Sequence, residues 1–410
     1  MTAIFEVVLT LAIVVSLLHK KVNLGNAILA GTAFLLITCS PHWSTVATAG
    51  RSLLLSSSTW EILLALYLVM CLEYQLRTSG TIDGFMAVAR ELLKSDKVLL
   101  ALMPAFLGFL PSLGGAIFSA PLVEAAAKPF GLSPEKKTAI NYWFRHIWEC
   151  TNPIIPALLL AGEIAHVPIN QLIANMLWVS VLCVVVGWFY YIAPLKSHAA
   201  GLAIHGELAK TPKQKNKYRY LLLSIGPILA NLIMVVGFNL GPALSMFLVV
   251  AAMTVVLGLN WPNIVAMLKH ALDYKLFWGI TNILFFQYIL TQTGIVGEVA
   301  IVLQNSGTPM VLVIGVLGFL AGILTGTSQG AVAITFPFVA AIASEDVAIA
   351  VVAYVAGFAG QILSPAHLCF LVTLEYFKAD FIKSLRSIAV MAFFLLLALS
   401  IEIKLHFFAL

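Results

Sequence analysis

Two proline-centred segments place polar side chains inside an otherwise apolar chain. Asn152-Pro153, preceded by Thr151, corresponds in the second half to Ser364-Pro365. A proline removes one backbone donor and clashes with the preceding turn, so that carbonyl groups are freed. Within lipid, freed backbone groups need partners from protein, water or a ligand. The motif therefore predicts two unwound helices that offer backbone dipoles and the side chains of Thr151, Asn152 and Ser364 to a solute.

Ionisable residues lie beside both segments. Arg145 and Glu149 are four residues apart, on one helical face within a span, where a charge costs roughly 2.5–3.5 kcal/mol on insertion scales. The planar fork of Arg145 suits a carboxylate ligand, and Glu149 could carry a proton. The alternative is that the two side chains form an ion pair with each other and have only a structural role. Histidine titrates near neutrality, so His146 and His367, which flank the breaks, could couple transport to protons. The predicted ion-coupling residues are Glu149, His146, His367, Asn152 and Ser364.

Two further apolar segments, 98–127 and 310–343, are interrupted at their centres by glycine and hydroxyl residues. Each arm has about a dozen residues, which is too short to cross the hydrocarbon core and suits a re-entrant hairpin. Glycine permits close backbone approach, and hydroxyl and amide groups supply uncharged donors and acceptors. The tips add candidate substrate-binding residues, which with Arg145, Thr151, Asn152 and Ser364 are Ser112, Gly114, Gly115, Thr327, Ser328 and Gln329.

The composition is that of a polytopic membrane protein. Apolar residues make up 61% of the chain, charged residues only 10%, and mean hydropathy is +1.00, whereas a soluble domain has about 25% charged residues. The net charge of +5 comes from loops between spans, which argues against nucleic-acid binding. The five dispersed cysteines include no Cys-x-x-Cys pair, so they suggest neither a disulfide framework nor a zinc site.

The predicted fold is all-α, with two inverted repeats. Each repeat has three scaffold helices, a re-entrant hairpin, a broken helix and one further helix. Since each repeat crosses five times, an odd number, the second is inserted upside down. The predicted boundaries are 1–193 for the first repeat (hairpin 98–127, broken helix 138–162), 194–218 for a cytoplasmic linker, and 219–410 for the second repeat (hairpin 310–343, broken helix 346–375).

The distribution of positive charge supports this topology. With the N-terminus outside, 20 of the 23 Lys and Arg residues fall in loops that face the cytoplasm, as the positive-inside rule expects. Arg51 and Lys404 lie outside, and Arg145 lies within a span. The expectation is a multi-pass protein of a prokaryotic inner membrane with both termini outside the cytoplasm.

This arrangement resembles the ion-transporter superfamily, which includes divalent-anion/sodium symporters and citrate and gluconate permeases. The stretches Leu110-Pro111-Ser112 and Ser364-Pro365-Ala366-His367 look like a prokaryotic branch of it. Sodium-coupled members carry Ser-Asn-Thr motifs at the hairpin tips, where this chain has Ser112-Leu113-Gly114 and Thr327-Ser328-Gln329. The resemblance implies elevator-like transport and a homodimer formed through the scaffold.

The predicted function is secondary transport of a small organic anion, coupled to H⁺ or Na⁺. The implied partners are that anion, the lipid bilayer and a second copy of the chain; no cofactor is expected beyond Na⁺ as a coupling ion. A channel or a lipid-phosphate translocase on the same fold is the alternative, because Arg145 suits phosphate as well. An enzyme is not expected, since no His-Glu-x-x-His motif occurs. A receptor or assembly component is a further alternative.

Overall fold

The computed structural model describes residues 2–39, 42–81, 84–85, 88–89, 95–109, 115–196, 217–295, 298, 301 and 307–407. Regular secondary structure in those ranges is helical. The helices of the first half are α1 Thr2–His19, α2 Leu24–Cys39, α3 Trp43–Leu55, α4 Ser57–Thr78, α5 Asp96–Gly108, α6 Gly115–Ala127, α7 Pro134–Arg145, α8 Pro156–Ala165 and α9 Ile169–Gly187, which continues as a π-helical turn Trp188–Ile192.

The second half repeats this order of elements. Its helices are α10 Lys217–Leu232, α11 Pro242–Leu257, α12 Trp261–His270, α13 Tyr274–Thr293, α14 Met310–Thr325, α15 Ser328–Ala343, α16 Val347–Leu363, α17 Leu368–Phe377 and α18 Phe381–Phe407. Helix α10 also ends in a π-helical turn, Ile233–Gly237. Within the described ranges, four helices in each half precede two short helices that pack together, a broken helix and one long helix. The opposite membrane orientation of the halves remains a prediction.

Two short helices, α3 and α12, were not predicted from the sequence. They occupy equivalent places in the two halves, between the second and fourth helices. Each is short, with 13 and 10 residues, and each carries a basic residue, Arg51 or Lys269. They were missed because they are too short and too polar to register as spans.

Within the described residues, five helices are long and apolar enough to cross a membrane, judged by length and composition. They are Ser57–Thr78, Ile169–Ile192, Tyr218–Gly237, Val347–Phe377 and Phe381–Phe407. Shorter apolar helices, including α2, α11, α14 and α15, accompany them. The segment Val347–Phe377 is the most enclosed, since 83% of its most apolar window is buried inside the protein.

The helices pack as two groups. The scaffold bundle consists of α1–α4 and α10–α13, in which α4 packs on α11 and α2 packs on α1 and α13. The broken-helix bundle consists of α5–α9 and α14–α18, in which α16 packs on α14, α15 and α18. Contacts between the bundles are fewer and include α13 with α15 and α4 with α8.

Glycines allow the first arm of each short pair to lie directly on a broken helix. A Cβ on Gly108 in α5 would collide with the Arg145 carbonyl oxygen, and one on Gly322 in α14 would collide with the Gly357 carbonyl oxygen. Only a residue without a side chain permits this backbone-to-backbone contact. The two contacts occupy matching places in the two halves and fix the arms against the helices that carry the candidate site.

Candidate functional site

The first broken helix unwinds earlier than the sequence predicted. We expected a break at Thr151-Asn152-Pro153, but α7 ends at Arg145 and residues 146–155 form turns before α8 begins at Pro156. Pro153 removes a backbone donor, and Pro156 has the fixed φ that favours the first position of a helix. As a correction, Arg145 and Glu149 do not lie on one continuous helical face.

The second broken helix has a shorter interruption. Helix α16 ends at Leu363, residues Ser364–His367 turn, and α17 starts at Leu368. The Ser364 hydroxyl accepts from the Ala366 N–H at 3.2 Å. The serine thus supports the turn that Pro365 imposes.

The polar residue before each proline caps the arm of the neighbouring hairpin. The Asn152 amide nitrogen donates to the Phe109 carbonyl at 2.9 Å, and the Ser364 hydroxyl donates to the Ile323 carbonyl at 2.6 Å. These carbonyls lie just beyond α5 and near the C-terminus of α14, where helix carbonyls lack partners. Asn152 and Ser364, predicted as substrate- and ion-binding residues, therefore have structural partners.

Two tyrosines that the sequence analysis missed tie the broken helices together. The Tyr142 hydroxyl on α7 donates to the Ile362 carbonyl at 3.1 Å, and the Tyr354 hydroxyl on α16 donates to the Glu149 carbonyl at 3.1 Å. The Glu149 carbonyl is the group that Pro153 leaves without its helical donor. Each tyrosine precedes its repeat proline by 11 residues, and this spacing was the available signal.

His146 and His367 meet where the two breaks approach each other. Their Nε2 atoms are 3.2 Å apart, and their ring planes are inclined at 76°. Each ring also uses its Nδ1 atom, His146 with the Tyr142 carbonyl at 2.7 Å and His367 with the Gly326 carbonyl at 2.8 Å. Both rings are buried.

The Glu149 carboxylate lies between the second hairpin and the second broken helix. The Ser328 hydroxyl at the start of α15 donates to Glu149 Oε1 at 2.7 Å, and the Gln361 side chain is also a hydrogen-bonding neighbour. Gln361 is the residue at the repeat position that corresponds to Glu149. The Gln361 Oε1 atom is buried and has no hydrogen-bond partner in the described part of the chain.

Arg145 is buried at the end of α7. Its Nη1 donates to the Leu107 carbonyl at 3.1 Å, and the Cys369 side chain lies close to its guanidinium. Cys369 was predicted to be inert like the other cysteines, although it follows His367 by only two residues. The structure brings these residues together from the two halves of the chain.

The remaining predicted residues divide into three cases. Thr327 and Gln329 line the cavity beside the breaks, where the Thr327 hydroxyl also caps α15 by accepting from the Gly330 N–H at 3.1 Å. Thr151 instead pairs with Ser180 on α9, with their hydroxyl oxygens 2.7 Å apart. Ser112 and Gly114 lie outside the described residues, and Gly115 begins α6.

A cavity of about 650 Å³ lies between the scaffold bundle and the broken-helix bundle. Its lining from the broken-helix bundle includes Arg145, His146, Glu149, Thr325, Gly326, Thr327, Ser328, Gln329, Gln361, His367 and Cys369. From the scaffold bundle it is lined mainly by α4 and α13. Most of the predicted side chains that the structure describes thus border one space.

A charged cluster on the scaffold bundle faces the same cavity. Glu73 on α4 lies 3.5 Å from the Arg77 Nε and 3.6 Å from the His270 Nε2, and the Arg77 Nη2 lies 2.9 Å from that same nitrogen. For Glu73, in a predicted scaffold span, the sequence left open a contact with an arginine, with a dimer partner or with water. The structure places it at the cavity with two basic neighbours.

Comparison with known proteins gives a family and a fold. The model of the family described as protein of unknown function (DUF401) matches residues 3–405. The chain belongs to the DUF401 family. No curated protein matches this DUF401 chain.

Among solved structures, the DUF401 chain is similar to the YdaH transporter of Alcanivorax borkumensis, a structure with an unusual topology. The TM-score is 0.59 at 16% sequence identity, and the match covers 85% of each chain. At this identity the similarity establishes a shared fold.

Proposed function

We propose that this protein is a secondary active transporter of a small organic anion that bears a carboxylate. A H⁺ or Na⁺ gradient drives the transport. The supporting observation is the meeting of two broken helices at a cavity that holds both a guanidinium and a carboxylate. Its volume of about 650 Å³ falls in the range of roughly 300–1,000 Å³ that is usual for small-molecule sites. A transporter of the same fold, YdaH, adds support.

In this proposal Arg145 binds the anion. A buried guanidinium offers five N–H donors in a fixed planar fork, and Arg145 borders the cavity. A carboxylate can accept two parallel hydrogen bonds from it. Thr327 and Gln329 on the cavity wall, at the N-terminus of α15, add uncharged donors where the helix dipole also favours an anion.

Glu149 carries the coupling ion in this proposal. The carboxylate is reached from the cavity and already accepts from Ser328. The partnerless Gln361 oxygen can accept a hydrogen bond from a protonated Glu149, or it can bind Na⁺ together with the carboxylate. His146 and His367 are additional candidates for cation binding at the same place.

Alternating access would move the broken-helix bundle against the scaffold bundle. The cavity lies at their boundary, and most helix contacts are internal to one bundle or the other. Such a division suits the elevator mechanism that the superfamily resemblance implies. The scaffold would form the dimer, and the two breaks would carry the solute with the moving bundle.

Purified protein in proteoliposomes tests this function. A thermal-shift screen against organic acids, phosphates and amino acids first identifies a stabilising ligand, and uptake of that ligand is then measured. We expect saturable accumulation that an uncoupler abolishes if H⁺ is coupled, or that replacement of sodium by choline abolishes if Na⁺ is coupled. Gradient-independent, non-saturable flux would identify a channel, and stabilisation by phosphates alone would favour the phosphate translocase.

Glu149→Gln should separate binding from coupling. Glutamine keeps the shape and the hydrogen bond to Ser328 but cannot carry a proton or a negative charge. We expect at least a tenfold loss of accumulation, with ligand-induced thermal stabilisation retained. Glu375→Gln, at an exposed glutamate of α17, is the matched control. Normal accumulation by Glu149→Gln would remove Glu149 as the coupling residue.

A further inference from the structure

The hydrogen bonds of His146 and His367 fix which nitrogen of each ring carries a hydrogen. Both Nδ1 atoms contact backbone carbonyl oxygens, at 2.7 Å for His146 and 2.8 Å for His367. A carbonyl only accepts, so each Nδ1 must donate. In a neutral imidazole the Nε2 atom is then a bare acceptor.

This assignment brings two acceptor nitrogens together, a contact that a shared cation would make favourable. The two Nε2 atoms are 3.2 Å apart in a buried setting. Neither has a hydrogen to donate, so two lone pairs approach each other. A proton or a metal ion held by both nitrogens would convert this repulsion into attraction.

The ring geometry favours a metal ion over a proton. A proton shared between nitrogens prefers a near-linear N–H···N arrangement. The ring centroids are only 4.9 Å apart. Rings aligned head-on at the same N···N distance would have centroids farther apart. The lone pairs therefore point at an angle to the line between the two nitrogens. Tetrahedral zinc, with Zn–N bonds of about 2.0–2.1 Å, holds its ligand nitrogens roughly 3.3–3.4 Å apart. The observed 3.2 Å is close to that separation.

Cys369 provides a third ligand of the appropriate type. Its Sγ and the ligand nitrogens of His146 and His367 all lie within 4.8 Å of one another. Imidazole and thiolate together are typical ligands of Zn²⁺. Arg145 lies close to Cys369, and Glu149 lies near His367, where its negative charge would offset that of a metal ion.

We propose that His146, His367 and Cys369 form a binding site for a thiophilic divalent metal ion, best matched by Zn²⁺. Three protein ligands leave a fourth coordination position, which faces the cavity that all three residues line. The bonds from both Nδ1 atoms to backbone carbonyls are the supporting contacts that metal-binding histidines usually make. The ion links the first broken helix to the second, and the proposal does not depend on transport.

Cobalt titration of the purified full-length protein in detergent tests the site. Tetrahedral Co²⁺ with a thiolate ligand gives intense visible bands and a near-ultraviolet sulfur-to-metal band. We expect one Co²⁺ per chain with both features, and displacement by Zn²⁺. Cys369→Ser should remove the near-ultraviolet band, and His146→Gln or His367→Gln should weaken binding at least tenfold.

Cys39→Ser is the matched control, because Cys39 is also a half-buried cysteine but belongs to the scaffold bundle. It should bind Co²⁺ like the wild type. Should a histidine variant fail to fold, Zn²⁺-induced thermal stabilisation is compared between the wild type and Cys369→Ser, whose side chains are nearly equal in size. Zn²⁺ should raise the unfolding temperature of the wild type by more than that of Cys369→Ser.

Three outcomes would overturn the proposal: absence of stoichiometric Co²⁺ binding, a spectrum without a sulfur band, or equal binding by Cys369→Ser and the wild type. These results are separate from those of the transport assay. Metal binding without gradient-driven uptake would refute the transporter and keep the metal site, and the reverse pattern would refute only the metal site.

Discussion

At the scale of single residues, Arg145 is the side chain to which the proposed function assigns the most specific contact, with the anion. It ends α7, donates to the Leu107 carbonyl on the first hairpin arm and faces the cavity. Burying a guanidinium is costly unless its donors are used. In the proposed function, an anionic ligand in the cavity binds to this guanidinium.

Arg145→Lys should weaken anion binding while preserving the positive charge. Lysine lacks the planar fork and is more strongly hydrated. Loss of one charge-assisted hydrogen bond costs about 1.5–3 kcal/mol, or roughly 10- to 150-fold in affinity. The ligand found in the thermal-shift screen provides the measurement, by calorimetric titration. Arg386→Lys, at an exposed position on α18, should leave affinity unchanged; a similar result for Arg145→Lys would contradict its role.

At the scale of elements, each broken helix is stabilised by the other. Unwinding frees carbonyl groups, and Tyr142 and Tyr354 cross between the helices to satisfy two of them. Gly108 and Gly322 bring the hairpin arms against the same helices. The breaks are therefore held open by their surroundings and do not depend on proline alone.

Tyr142→Phe and Tyr354→Phe should each destabilise the fold. Each change leaves a buried carbonyl without its donor, at a cost of about 1–3 kcal/mol. Thermal unfolding in detergent, followed by intrinsic fluorescence, should show a lower transition temperature for both variants. Tyr376→Phe on α17, at a half-exposed ring, is the control. Transition temperatures equal to that of the control would show that the hydroxyls do not brace the breaks.

Gly322→Ala should be more damaging than an alanine elsewhere in a helix. The added methyl group would meet the Gly357 carbonyl on α16, and overpacking of this kind costs about 1–3 kcal/mol or more. Gly50→Ala, whose new methyl group meets nothing within 4 Å, should be neutral or slightly stabilising because alanine favours helix. Folded yield and unfolding temperature compare the two. Equal values would mean that α14 can move away from α16 at little cost.

At the scale of the whole molecule, the two bundles and the cavity between them define what could move. Charge placement predicts that Lys20 faces the cytoplasm and that Arg51, on the short helix α3, lies outside. Both side chains are exposed in the structure.

Single cysteines at these positions test the predicted membrane orientation. In a background with the five native cysteines replaced, a membrane-impermeant maleimide added to intact cells should label Arg51→Cys. It should label Lys20→Cys only after the cells are permeabilised. Labelling of both variants in intact cells would contradict the positive-inside assignment. Labelling of Lys20→Cys alone in intact cells would show that the protein has the opposite membrane orientation.

The sequence alone determined the all-helical class, the apolar segments and the polar interruptions within them. These features follow from local properties, namely hydropathy over about 20 residues and the missing donor of proline. Local signals were weaker for α3 and α12, whose 13 and 10 residues are too few for a span. The sequence also could not show that the first helix unwinds from His146, because that choice depends on partners outside the segment.

Only the tertiary structure decided which polar groups meet. Cys369 looked inert because its neighbours His146 and Arg145 are more than 200 residues away in the chain, and no sequence spacing reports such a contact. The role of Tyr142 and Tyr354 depends on the other broken helix, which supplies the carbonyl oxygen that each hydroxyl bonds. Composition and local backbone chemistry select the elements, whereas the site arises from long-range packing that brings two halves of the chain against each other.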